Sequence, residues 1–70
     1  MPAILDSVFQ QRLEQVSRRE WWPVTLLART LGKPRMYIYR RIQNEDFTVV
    51  IDGGFMKVQS DSVLNYFEDG

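Results

Sequence analysis

Neither cysteine nor histidine occurs among the 70 residues. Without cysteine there is no disulfide framework and no thiolate zinc site to staple so short a chain. Without histidine as well, only oxygen ligands are left for a metal, and no spaced cluster of acids has the pattern of a calcium loop. The two absences also remove the usual catalytic base and the most reactive nucleophile. No glycine-rich phosphate cradle follows a strand pattern. The paired acids Glu45-Asp46 and Glu68-Asp69 are sequence neighbours, expected on surfaces or loop ends rather than converging on a cleft. A non-enzymatic protein with no cofactor, no metal and no small-molecule substrate is expected. Long apolar runs are missing too. None approaches the roughly 18–20 residues that span a bilayer, and Asp6 without a basic stretch before it does not read as a secretory signal. A cytoplasmic protein without a membrane partner is expected.

One sign of charge is missing from one long stretch. The net charge of the whole chain is zero, but its distribution is uneven. Residues 1–20 set Arg12, Arg18 and Arg19 against Asp6, Glu14 and Glu20 and cancel. Residues 21–43 hold Arg29, Lys33, Arg35, Arg40 and Arg41 with no acid, a charge of +5. Residues 44–70 hold Lys57 against Glu45, Asp46, Asp52, Asp61, Glu68 and Asp69, a charge of −5. A basic face confined to one segment is a footprint of phosphate binding.

A chain of this length makes one small domain, which buries about 60% of its unfolded surface and draws roughly 3–5 kcal/mol from its core. Stability must come from the apolar 44%, from helix caps or from self-association. Residues 3–19 place Ile4, Leu5, Val8, Phe9, Leu13 and Val16 on one half of a helical wheel, opposite Asp6, Ser7, Gln10, Glu14 and Ser17. This amphipathic helix either completes the core or forms a dimer seam. Arg18-Arg19-Glu20 reads as its solvated end, and Trp21-Trp22 as a boundary with one tryptophan anchoring the core.

Next comes the punctuation of two helices joined by a tight turn. Pro23 and Pro34 suit first helical positions, and Gly32 suits the left-handed position just past a helix end. The first helix, about Pro23 to Leu31, buries Val24, Leu27, Ala28 and Leu31 and turns Arg29 and Thr30 outward. The second, about Pro34 to Asn44, points Ile38 and Ile42 inward, flanked by Tyr39 or Arg41. Arg35, Met36, Tyr37 and Arg40 are left on the opposite or upper face. Alternating Phe47 to Ile51 and then Phe55 to Val58 predict a hairpin, with Asp52-Gly53 as its two-residue turn. Ser60 is expected to cap a last helix with Val63, Leu64, Tyr66 and Phe67 inside and Glu68-Asp69-Gly70 frayed.

From Trp22 to Phe67 the chain resembles the small winged helix-turn-helix of the excisionase and MerR-type DNA-binding families. The resemblance rests on Trp22, Val24-Thr25, Ala28 with Leu31-Gly32, Tyr39-Arg40 with Ile42, Gly53-Gly54, and Val63 with Tyr66-Phe67. It implies a mainly α fold with a small β-hairpin. Residues 21–70 would be the winged helix-turn-helix domain, and 1–20 an extra amphipathic helix for the core or for dimerisation. It departs from the family pattern in three places. Lys33-Pro34 replaces an apolar residue and a hydroxyl cap, Phe55 occupies a position after the wing glycines that is often basic, and Asp52 lies at the wing tip.

The function implied is sequence-specific binding of double-stranded DNA by a bacterial, phage or plasmid regulator or recombination directionality factor, held at the nucleoid when bound. Arg35, Tyr37 and Arg40 have the reach to meet base edges in the major groove, and Met36 to touch a thymine methyl. Lys33 and Arg41 are expected to hold phosphates, which fixes register without reading sequence, and Lys57 to be the cation of the wing. So few cations give weak monomeric binding. A homodimer through residues 3–19, or a protein neighbour on the DNA, is therefore expected. Two other roles suit the same fold: a protein–protein adaptor and a viral DNA-packaging subunit.

Overall fold

Gly32 shows how this chain turns its corners. Its backbone is left-handed at φ 71°. Its N–H bonds the Arg29 carbonyl at 3.2 Å while the next N–H, of Lys33, reaches back to Ala28 at 2.9 Å. That crossed pair of bonds satisfies the carbonyls a helix end leaves open, and glycine takes the required conformation without steric cost. The computed structural model describes residues 3–69, with side chains from Ser7 to Glu68. These residues form four helices and one three-stranded antiparallel sheet. The order is α1 (Ala3–Val16), β1 (Trp21–Pro23), α2 (Val24–Leu31), α3 (Arg35–Gln43), β2 (Val49–Asp52), β3 (Phe55–Gln59) and α4 (Ser60–Asp69).

α1 packs on α2 and α4, and its Leu13 and Val16 enter the core, with Phe9 half-buried and Val8 48% exposed. It ends at Val16, short of the expected residue 19, because the chain turns there: Ser17 donates its hydroxyl to the Glu14 carbonyl at 2.6 Å. The side chains of Ile4, Leu5 and Asp6, and Gly70, lie outside the described residues. Trp22 is the core tryptophan. It is buried, and its indole N–H donates to the Val16 carbonyl at 2.9 Å, tying the end of α1 to the sheet.

Trp21-Trp22 is more than a boundary, because it forms a third strand with Pro23. β1 and β2 both pair with β3, giving the order β1-β3-β2. Trp22, Val58 and Val49 make one row across the sheet, and this row is the sheet's contribution to the core. The extra strand answers the marginal stability of an isolated hairpin. The turn is Gly53-Gly54 rather than Asp52-Gly53. Asp52 pairs with Phe55, and the two residues between them have φ 59° and 84°. A two-residue turn of this kind needs positive φ twice, which two glycines supply without steric cost. β2 begins at Val49 rather than Phe47. The Phe47 N–H bonds back to the Arg41 carbonyl at 3.3 Å, so it is not free for the ladder, and its ring is buried.

Both prolines stand one residue earlier than expected. Pro23 (φ −59°, ψ 144°) and Pro34 (φ −66°, ψ 153°) are extended residues that cap α2 and α3 from outside. α2 buries Val24, Leu27, Ala28 and Leu31 as its spacing predicts. The hydroxyl that ties the start of α4 is that of Ser62 rather than Ser60. Ser62 donates to the Gln59 carbonyl at 2.7 Å and accepts the Thr48 N–H at 2.9 Å, while Ser60 is buried as the first helical residue.

α3 closes with the same crossed pattern as α2. The Glu45 N–H bonds Ile42 at 3.0 Å and the Asp46 N–H bonds Arg41 at 2.8 Å. Here the left-handed residue is Glu45, at φ 64°, where a side chain costs about 1–2 kcal/mol. The two helix ends therefore respond oppositely to substitution. Glu45→Gly stabilises the protein by about 0.5–1 kcal/mol, the relief of strain less the entropy glycine adds to the unfolded chain. Gly32→Ala costs about 1–2 kcal/mol, its Cβ meeting the Arg12 guanidinium. Thermal unfolding reads both, at about 4–8 °C per kcal/mol for a domain of this size.

Candidate nucleic-acid interface

α3 carries the surface of interest, and its rotation is set from inside. Ile38 has no exposed surface. With Arg35 taken as the origin, steps of about 100° put Tyr39, Gln43, Met36 and Arg40, in that order, within an arc of about 140°. All five residues are exposed, Met36 at 61% and Tyr39 at 44%. Neither Arg35 nor Arg40 has a carboxylate partner among the described residues. Lys33, just before α3, is half-buried on the side of Tyr37, with its ammonium 5.1 Å from the Tyr37 ring centroid and 5.8 Å from that of Phe9.

Two residues expected on this face turn inward. Tyr37 is half-buried and stacks on Phe67, with centroids 6.5 Å apart and planes within 10°. Arg41 donates from Nη1 to the Tyr66 hydroxyl at 2.7 Å and to Asp46 at 3.2 Å. Its guanidinium lies 5.5 Å from the ring centroids of both Tyr37 and Tyr66. Its side chain keeps 23% exposure, and its Nε is buried without a partner among the described residues. The Tyr66 hydroxyl accepting its hydrogen bond raises the Arg41 pKa above its ordinary value, against the opposing effect of burial. Arg41 is thus a structural cation that knits α3 to α4 and to the turn after α3. It also takes the core flank that Tyr39 leaves by pointing outward.

The hairpin cation is occupied as well. Lys57 donates to Asp52 at 3.2 Å, so the expected wing cation and the expected repulsive acid cancel each other. What the hairpin presents is apolar: Phe55 is 73% exposed and Ile51 61%. A groove of about 430 Å³ joins the hairpin to α3, lined by Pro23, Thr25, Tyr39, Phe55, Met56 and Lys57 among others. Of the seven expected residues, Arg35, Met36 and Arg40 share one face, while Lys33 packs beside Tyr37 and Phe9. Lys57, paired with Asp52, lines the groove beside that face, and Tyr37 and Arg41 do not belong to it. Tyr39, Gln43 and Phe55 do, and strict wheel arithmetic on α3 identifies the first two.

Among the described residues no helix is long and apolar enough to cross a membrane, and no group of His, Cys, Asp or Glu gathers that could hold a metal ion. Comparison with family models, with curated proteins and with solved structures finds no match.

Burial, ahead of the neighbouring Tyr66, raises the Tyr37 pKa above its ordinary value, which is about 10. A proton held more tightly in the folded state stabilises it fully below about pH 10 and ceases to do so as pH rises through the raised value. Denaturant unfolding of the wild type therefore loses stability across that alkaline window. Tyr37→Phe removes this part of the decline while leaving the exposed face of α3 intact.

Proposed function

We propose that this protein binds double-stranded DNA as a small winged helix-turn-helix module. In this reading α2 and α3 are the helix-turn-helix and the β2–β3 hairpin is the wing. The observation that carries it is the exposed face of α3, where Arg35 and Arg40, without an acidic partner among the described residues, stand on either side of Tyr39, Gln43 and Met36. A helix of this width fits the major groove. Arg35 and Arg40 have the fork geometry for guanine O6 and N7, Gln43 that for adenine, and Met36 an apolar end for a thymine methyl. Lys33 and Arg29, at the two ends of the α2–α3 turn, suit phosphates. The role is that of a bacterial, phage or plasmid regulator or recombination directionality factor, working in the cytoplasm at the nucleoid.

With Arg41 and Lys57 committed to internal pairs and Arg35 and Arg40 given to bases, Arg29 and Lys33 are left for about two phosphates, each contributing about 0.9 to the salt slope. A single copy then binds weakly at physiological salt. Self-association through α1, or a protein neighbour on the DNA, would bring affinity into a useful range. The exposed Phe55, Ile51 and Met36 favour a second reading, an adaptor that grips a protein partner through apolar contacts.

Fluorescence anisotropy with labelled duplex at several salt concentrations separates the two. DNA binding predicts a log–log slope of about −2, reduced by about 1 in each of Arg29→Ala and Lys33→Ala, while Arg35→Ala and Arg40→Ala each weaken binding by about 1–3 kcal/mol and relax base preference. Arg41→Lys should leave the slope unchanged. Binding that ignores salt, or that survives the double arginine substitution, would reject DNA in favour of the adaptor.

A further inference from the structure

Arg12 crosses from α1 to the end of α2. Its Nη1 donates to the Leu31 carbonyl at 3.4 Å, one of the carbonyls that a helix end leaves open. A Cβ at Gly32 would come within 2.5 Å of that nitrogen, so the glycine clears a seat for the guanidinium as well as turning the corner. The single long contact leaves the other N–H donors of the fork for a further acceptor, and the residue is exposed. Arg29 stands exposed in the last turn of α2, and Lys33 follows Gly32. None of the three cations has a carboxylate partner among the described residues, where the ion pairs are made by Arg18, Arg41 and Lys57. One turn to either side of Arg12 on α1 stand Val8, Phe9, Gln15 and Val16, all without charge. Like charges gathered at one corner repel, and an anion seated among them relieves the repulsion.

We infer that Arg12 holds a backbone phosphate of duplex DNA at the α2–α3 corner, which makes α1 part of the nucleic-acid interface. This rests on the DNA-binding reading above. In that reading the first helix of the pair crosses the backbone while the start of the second meets the bases. α3 starts at Arg35, just past the Gly32 turn, so the strand beside the bases that Arg35 meets passes the end of α2, over which Arg12 leans. A guanidinium fork matches two phosphate oxygens, and such a contact carries no base preference. α1 lies outside the helix-turn-helix resemblance, so this contact belongs to the chain rather than to the fold. Beside Arg29 and Lys33 it is a third phosphate contact, and it steepens the salt slope from about −2 to about −3.

The test repeats the anisotropy titrations with the full chain on two duplexes of unrelated sequence. Arg12→Gln removes the charge and keeps an N–H donor for the Leu31 carbonyl, whereas Arg12→Lys keeps the charge. Arg12→Gln should flatten the wild-type slope by about 1 and weaken binding to both duplexes by the same factor, about eightfold near 0.1 M salt. Arg12→Lys should keep the wild-type slope. Thermal unfolding of both variants provides the control, because a purely structural role moves the melting temperature and leaves the slope alone. A slope unchanged in Arg12→Gln, one flattened equally in Arg12→Lys, or weakening confined to one duplex overturns the Arg12 contact. If the slope still falls in Arg29→Ala and Lys33→Ala, the α3 reading stands without it. Failure of the wild type to bind either duplex, or binding that ignores salt, overturns both.

Discussion

Ile38 is sealed in the core, and Arg41, one turn further along α3, is held between the Tyr66 hydroxyl and the Asp46 carboxylate. Two fixed points on adjacent sides of a nine-residue helix leave it one rotation about its axis. Everything that faces solvent from α3 follows from that setting. The Arg41 guanidinium keeps company with two tyrosine rings, so part of its charge is offset by π-faces and part by Asp46. This arrangement also reaches outside α3, because Asp46 belongs to the turn that launches the hairpin and Tyr66 to α4. A single cation thus coordinates three elements of a domain whose core is small.

The turns serve the same end. The α2–α3 corner is tightened by crossed backbone bonds around Gly32, and Arg12 of α1 leans over it with a long contact of 3.4 Å to the Leu31 carbonyl. The α3–β2 corner uses the same geometry around Glu45, with a side chain where glycine would be easier. Strain at that position coincides with the correct placement of Asp46 against Arg41, since the Asp46 N–H closes the corner while its carboxylate meets the guanidinium. Local backbone cost and a tertiary ion pair are therefore coupled within two residues.

Much of this was legible beforehand. Proline and glycine punctuation locates α2 and α3 to within a residue, because those residues act through their own backbones. The buried face of α2 follows from spacing alone. The site was only half legible. Arg35, Met36 and Arg40 face outward as the wheel requires. The helical pattern leaves Tyr37 with Arg35, Met36 and Arg40 and leaves Tyr39 and Arg41 as alternative core flanks; in the structure Tyr37 turns inward with Arg41, and Tyr39 takes the exposed face. Charge counting treated Arg41 and Lys57 as free, and their partners Asp46, Tyr66 and Asp52 are known only once the chain is folded. β1 escaped because three residues are too short to show a period, and because it pairs with a strand more than thirty positions away. The glycine turn shifted by one residue because register, rather than the Asp-Gly pair, decided which two positions needed positive φ.

Pro23 has a consequence beyond starting α2. It ends β1, an outer strand of the sheet, and it has no N–H with which to recruit another chain. An outer strand of three residues closed by proline offers a poor template for strand addition, and the opposite border, β2, is four residues long and finishes on a carboxylate. Ile51 in β2 and Phe55 in β3 are openly exposed, and the two short outer strands give a second copy little free backbone along which to pair.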